Sequence, residues 1–175
     1  MLFRSEAKEK QMLYKGPKLV WHLIGHLQVN KVRQAVPMFD LIHSVDSKKL
    51  LDEIEKVAAK HDKVQDILLQ VNVAREASKS GMSVEEFPEV RDYAKTLPHV
   101  RVRGLMCMAP FFENPEEARP IFRVAYVLYE DMKGYFPEGD IQYLSMGMTH
   151  DFEVALQEGA NIVRVGTAIF GERVY

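Results

Sequence analysis

Apolar and β-branched runs recur along this chain. KLVWHLIG from Lys18, LIHSV from Leu41, DILLQVNV from Asp66, VRVRGLMCM from Val100, QYLSMG from Gln142 and NIVRVG from Asn161 each read as a strand. The stretches between them carry helix signals. In SKKLLDEIEKVAAK, opened by Asp46 or Ser47, the residues Leu50, Leu51, Ile54, Val57 and Ala58 form one stripe. Ser83 and Glu86 make a capping box before VEEFPEVRDYAKT, with the helix proper expected near Pro88. Asn114-Pro115-Glu116-Glu117 starts a helix expected to reach about Phe136, and the apolar stripe of IFRVAYVLYEDM faces the sheet. Thr149 or Asp151 opens the last clear helix and Gly159 closes it. Residues 5–14 read as a helix with no strand before it.

Strand-helix alternation makes a parallel sheet, because each right-handed crossover brings the chain back in the same direction. The class is α/β. Six such units suit an open doubly wound sheet or part of a (β/α)8 barrel. No GxGxxG follows an early strand, which weighs against a dinucleotide-binding sheet. A complete (β/α)8 barrel takes about 250 residues, so this chain is short by about two strands. No linker, repeat or low-complexity tract divides it, and residues 1–175 read as one domain.

Charge and cysteine content narrow the partners. With 23 Lys and Arg against 25 Asp and Glu, neither sign gathered into a block, the sequence gives no reason to expect nucleic acid or an anionic membrane. The single cysteine, Cys107, sits in the apolar run GLMCM and reads as a small buried hydrophobe in a reducing compartment. The opening MLFRSEAKEKQ is charged and lacks an apolar core, so the sequence reads as cytoplasmic.

The candidate chemistry lies near the C-terminus. In α/β proteins ligands gather at the carboxyl ends of the strands, and barrels often hold phosphate on their last two loops. Here those loops are SMGMTHD (145–151) and VGTAIFG (165–171). Ser145, Gly147 and Thr149 on one, and Gly166 and Thr167 on the other, offer hydroxyls, backbone N–H groups and room for an anion. Alternation puts Arg164 and Gly166 on one face of the last strand and Val163 and Val165 on the other. Arg164 would then point inward beneath a bound group, and because a guanidinium only donates, that group must accept: a phosphate or an unprotonated ring nitrogen. His22 and His26 straddle a strand end and a loop without a supporting ligand cluster, so no metal is expected. Trp21 and Tyr143 read as core residues on strands, and His150 as a helix-start residue near the ligand or the surface.

The blocks WHLIGHLQVNK (21–31), LLQVNVAREASKSGM (68–82), VRGLMCM (102–108) and LSMGMTHDFEVALQEGANIVRVGTAIFGER (144–173) resemble the pyridoxal phosphate homeostasis proteins from about Glu6 onward. The resemblance implies an alanine racemase-like barrel that binds pyridoxal 5'-phosphate and serves vitamin B6 and amino-acid homeostasis with little established catalysis. It also implies a monomer when complete, with PLP-dependent apoenzymes as recipients of the cofactor. Carried over, Thr149, Gly166 and Thr167 hold the phosphate, Ser145 and Met148 line the site, and Arg164 meets the pyridine nitrogen. Family members begin with a strand carrying the lysine that attaches the cofactor and a second strand ending in Gly-Glu-Asn. Neither occurs here, so the sequence is expected to be an N-terminally incomplete copy whose open sheet edges make it marginally stable. Lys79 is the substitute lysine to consider, ahead of Lys31; both read as solvated charges. A PLP-dependent racemase-type enzyme and a phosphate-binding barrel enzyme without this cofactor are the alternatives.

Overall fold

A computed structural model describes residues 3–76 and 80–171, with side chains from Ala7 on. Lys79 lies outside the described residues. The chain opens with α1 (Phe3–Leu13) and continues through β1 (His22–Leu23), α2 (Val32–Ala35), β2 (Leu41–Val45) and α3 (Lys48–Lys60). Then come β3 (Gln65–Val71), α4 (Phe87–Ala94), β4 (Val100–Cys107), α5 (Arg119–Met132), β5 (Tyr143–Met148), α6 (Phe152–Gln157), β6 (Ile162–Arg164) and α7 (Thr167–Phe170). The strands form one parallel sheet in chain order, β1 to β6. The sheet curls, for side chains of β2 and β5, three places apart, meet within hydrogen-bond distance. This is a six-stranded part of a (β/α)8 barrel, open between β1 and β6.

The helix starts follow the sequence signals. Ser47 accepts from the N–H of Leu50 at the start of α3. Ser83 and Glu86 exchange the two bonds of a capping box ahead of α4. Asn114 caps a short 3₁₀ turn that leads into α5. Helix α5 ends at Met132 rather than near Phe136, where the backbone passes into turns around Gly134. The first strand is also shorter than the run KLVWHLIG: β1 pairs only on its β2 side, over two residues, and Trp21 lies before it. Trp21 still joins the pairing through its carbonyl, which accepts from the N–H groups of Asp40 and Leu41.

Alternation along the strands separates two cores. Outward residues, among them Ile42, Ile67, Leu69, Leu105, Cys107, Leu144 and Met146, pack on the helices with Leu51, Ile54, Phe87, Phe122 and Met132. Inward residues Leu41, Leu68 and Met106, with Met108 and Tyr143, form a smaller apolar cluster inside the curl. The interior also holds fully buried His43 and Ser145 and nearly buried Gln70 and Arg164. Gly104, with φ of 149°, sits opposite Tyr143 on β5, where a Cβ would fall 1.8 Å from the Tyr143 carbonyl oxygen. Among the described residues no helix is long and apolar enough to cross a membrane.

Candidate functional site

Arg164 ends β6 and is held by two acceptors. Its Nη1 donates to the Ser145 hydroxyl at 2.6 Å and its Nη2 to the Cys107 carbonyl at 2.9 Å. The Nε–H is buried with no partner among the described residues. No carboxylate lies within ion-pair distance of the guanidinium among those residues, and burial lowers its pKa to about 10, so it stays charged at neutral pH. Asp151, beyond ion-pair distance, pulls the pKa the other way, but a buried cation with an unused donor is still costly unless an acceptor reaches it.

Behind Arg164 the polar interior continues. Ser145 Oγ lies 3.0 Å from His43 Nδ1, and His43 Nε2 lies 3.0 Å from His22 Nδ1. Burial, with the nearby His22 and Arg164, lowers the His43 pKa to about 3, so its ring is neutral. Burial also lowers that of His22, against the pull of Asp40. The sequence reading passed over His43, because LIHSV looks uniformly buried. A polar residue two places from Leu41 on the inward face was the available signal.

Above Arg164 lie the two loops. Thr149 Oγ1 accepts from the Gly166 N–H at 3.2 Å, which joins the loop after β5 to the loop after β6. Gly166 and Thr167 are exposed, and a Cβ at Gly166 would meet open space. Met148 is half exposed, and its N–H donates to Asp151 Oδ1 at 2.6 Å. Ser145 and Gly147 depart from the expected loop role. Ser145 belongs to β5 and is fully buried, with its hydroxyl against Arg164 and His43. Gly147, with φ of 89°, lets α6 approach: a Cβ would lie 2.6 Å from that of Ala155 and 2.9 Å from Phe152 Cα.

The remaining sequence candidates settle apart from Arg164. His26 Nδ1 lies 3.1 Å from Ser80 Oγ, joining the loops after β1 and β3. His150 packs on Phe111, ring centres 5.0 Å apart, with Nε2 3.2 Å from the Glu113 carbonyl. Lys31 lines a groove of about 920 Å³ between α1, α2 and the end of β1.

The alanine racemase N-terminal domain family matches residues 4–174. The pyridoxal phosphate homeostasis protein of Aquifex aeolicus is 47% identical over 171 residues, which cover 98% of this chain and 75% of that protein. PipY of Synechococcus elongatus superposes in two solved structures. The one without PLP gives a TM-score of 0.85 at 35% identity, covering 96% of this chain and 79% of PipY. The one with PLP bound gives 0.77 at 34% identity, covering 95% and 76%. Alanine racemase from Corynebacterium glutamicum, at 15% identity and a TM-score of 0.72, shares the fold over 97% of this chain and 46% of its own length. With the barrel arrangement, the family match and these identities in agreement, the chain belongs to the alanine racemase N-terminal domain family and, within it, to the pyridoxal phosphate homeostasis proteins.

Proposed function

We propose that this protein binds pyridoxal 5'-phosphate at the carboxyl ends of β5 and β6 and serves intracellular cofactor and amino-acid homeostasis. The observation that supports the reading is Arg164: buried, charged, with no carboxylate within ion-pair distance and with its Nε–H unused among the described residues. An unprotonated pyridine nitrogen supplies the acceptor that this donor lacks. Thr149 and Gly166 join the two loops, and beside them the exposed Thr167 offers a hydroxyl that suits the phosphate. In this reading Met148, half exposed at the end of β5, would line the mouth, and Ser145 would act from below by holding Arg164.

When bound, pyridoxal phosphate brings a reactive aldehyde and an electron-withdrawing ring. The residues here restrain the second property, because a guanidinium facing the ring nitrogen donates rather than accepts and keeps that nitrogen unprotonated. Storage and delivery of the cofactor to PLP-dependent apoenzymes follow more naturally from this arrangement than racemisation. Localisation to the cytoplasm and a monomeric state belong to the same reading.

Titrating the chain with pyridoxal 5'-phosphate, monitored by absorbance and by gel filtration with the bound vitamer, tests it. Saturable one-to-one binding that Arg164→Met weakens at least about tenfold, the scale of a lost hydrogen bond to a charged group, is the expected result. Binding indifferent to Arg164→Met and Thr167→Val sinks the site. Alanine racemisation by the loaded protein would favour the enzyme reading.

A further inference from the structure

The interior hydrogen bonds leave only one arrangement in which the Ser145 hydroxyl proton has an acceptor. Arg164 can only donate, so Ser145 Oγ accepts from its Nη1. The Ser145 hydroxyl proton then has a single acceptor within reach among the described residues, Nδ1 of His43 at 3.0 Å. That fixes His43 as the tautomer with hydrogen on Nε2. Its Nε2–H donates in turn to His22 Nδ1 at 3.0 Å, which fixes His22 in the same tautomer. In the reverse arrangement the His43 Nδ1–H would donate to Ser145, and the serine proton would be stranded in a fully buried position. The chain of donors therefore runs one way, from Arg164 through Ser145 and His43 to His22, which is partly exposed.

We infer that His43 and His22 are positioning residues: by drawing the Ser145 proton away from the ligand, they make Arg164 the sole donor beneath it and hold the guanidinium in its donating pose. This rests on the pyridoxal phosphate reading of the site. Neither histidine touches the ligand; both act through Ser145 and Arg164. A proton added to His22 Nδ1 abolishes the final acceptor and forces the chain to reverse. The charged and titratable groups facing the pair are Asp40, which favours charge on His22, and Arg164, which opposes it on His43, while His22 itself opposes charge on His43.

Two measurements test the inference on the 175-residue chain. The first is long-range ¹⁵N–¹H NMR of the histidine rings in the ligand-free protein. Neutral Nε2–H rings at His43 and His22 at pH 7.5 are expected; an Nδ1–H or a charged ring at His43 overturns the inference whatever the ligand does. The second is the affinity for pyridoxal 5'-phosphate from pH 5 to 8, taken as a ratio to wild type at each pH so that the ligand's own titration cancels.

His43→Leu, of similar size but without an acceptor, is expected to bind about tenfold more weakly. His43→Asn places an oxygen where Nδ1 stood and is expected to restore most of that loss. A role in packing alone gives the opposite order and overturns the inference. The affinity of His22→Asn relative to wild type, the variant keeping an acceptor but unable to titrate, is expected to rise on acidification as wild-type His22 gains its proton. A ratio that stays flat from pH 8 to 5 overturns the inference. Correct tautomers in a protein that binds no pyridoxal phosphate at any pH support the donor chain and overturn the proposed function instead.

Discussion

The two faces of the curled sheet are built on different principles. The outer face buries a continuous apolar layer against the helices, with Ile54, Phe122 and Met132 fully enclosed. The inner face has a small apolar floor of Leu41, Leu68 and Met106, and above it His43, Ser145 and Arg164 held by directed hydrogen bonds. Apolar burial is tolerant of exchange and supplies most of the folding energy; a buried polar chain is intolerant and supplies a specific geometry. The sheet thus places an apolar layer on one side and a directed polar network on the other.

Substitutions can break this division where it is strongest. Phe122→Ala empties the outer layer and is expected to lower unfolding free energy by about 3–5 kcal/mol in urea titrations. The affinity of the molecules that remain folded should be unchanged. The inner face shows its role when filled: pyridoxal 5'-phosphate at about 100 times its dissociation constant should stabilise the wild-type protein by about 2.7 kcal/mol. A tenfold weaker Arg164→Met should lose about half of that increment at the same ligand concentration, as read by the shift in thermal midpoint.

Acid sharpens the comparison further. Because the folded His43 pKa lies near 3 against 6.5 for a free histidine, the unfolded chain binds the extra proton between those values. The stability contributed by a neutral His43 is therefore complete above pH 6.5. It is lost on acidification toward pH 3 at a limiting slope of about 1.4 kcal/mol per pH unit. His43→Asn should remove that component from the pH dependence of urea midpoints, and an unaltered slope would assign it to other groups. The smallest effect is peripheral: Ser47→Ala removes the α3 cap and is expected to cost about 1 kcal/mol without touching the ligand.

The same division explains how much was legible in the sequence. The strand LIHSV is observed with the bounds read from it, and the Ser83–Glu86 box and Asn114 cap sit where their local chemistry places them. These signals act within a few residues. Strand β1 shrank because pairing, not propensity, decides a strand's length at a sheet edge, and β1 has a neighbour on one side only. Arg164 was legible as an inward donor from alternation alone. Its partners were not: Ser145 is 19 residues away and the Cys107 carbonyl 57, while His43 meets Ser145 across 102 residues of chain. A polar residue inside an apolar run announces that it needs a partner, but only the curl of the sheet says which one. Gly147 misled for a similar reason, since it serves the approach of α6, a demand visible only once that helix is in place.

One of the two acceptors that orient Arg164 is a main-chain oxygen, that of Cys107. The thiol of the same residue belongs to the opposite, helix-packed layer. The backbone supplies that carbonyl whatever side chain stands at position 107, so this acceptor would outlast the loss of the thiol.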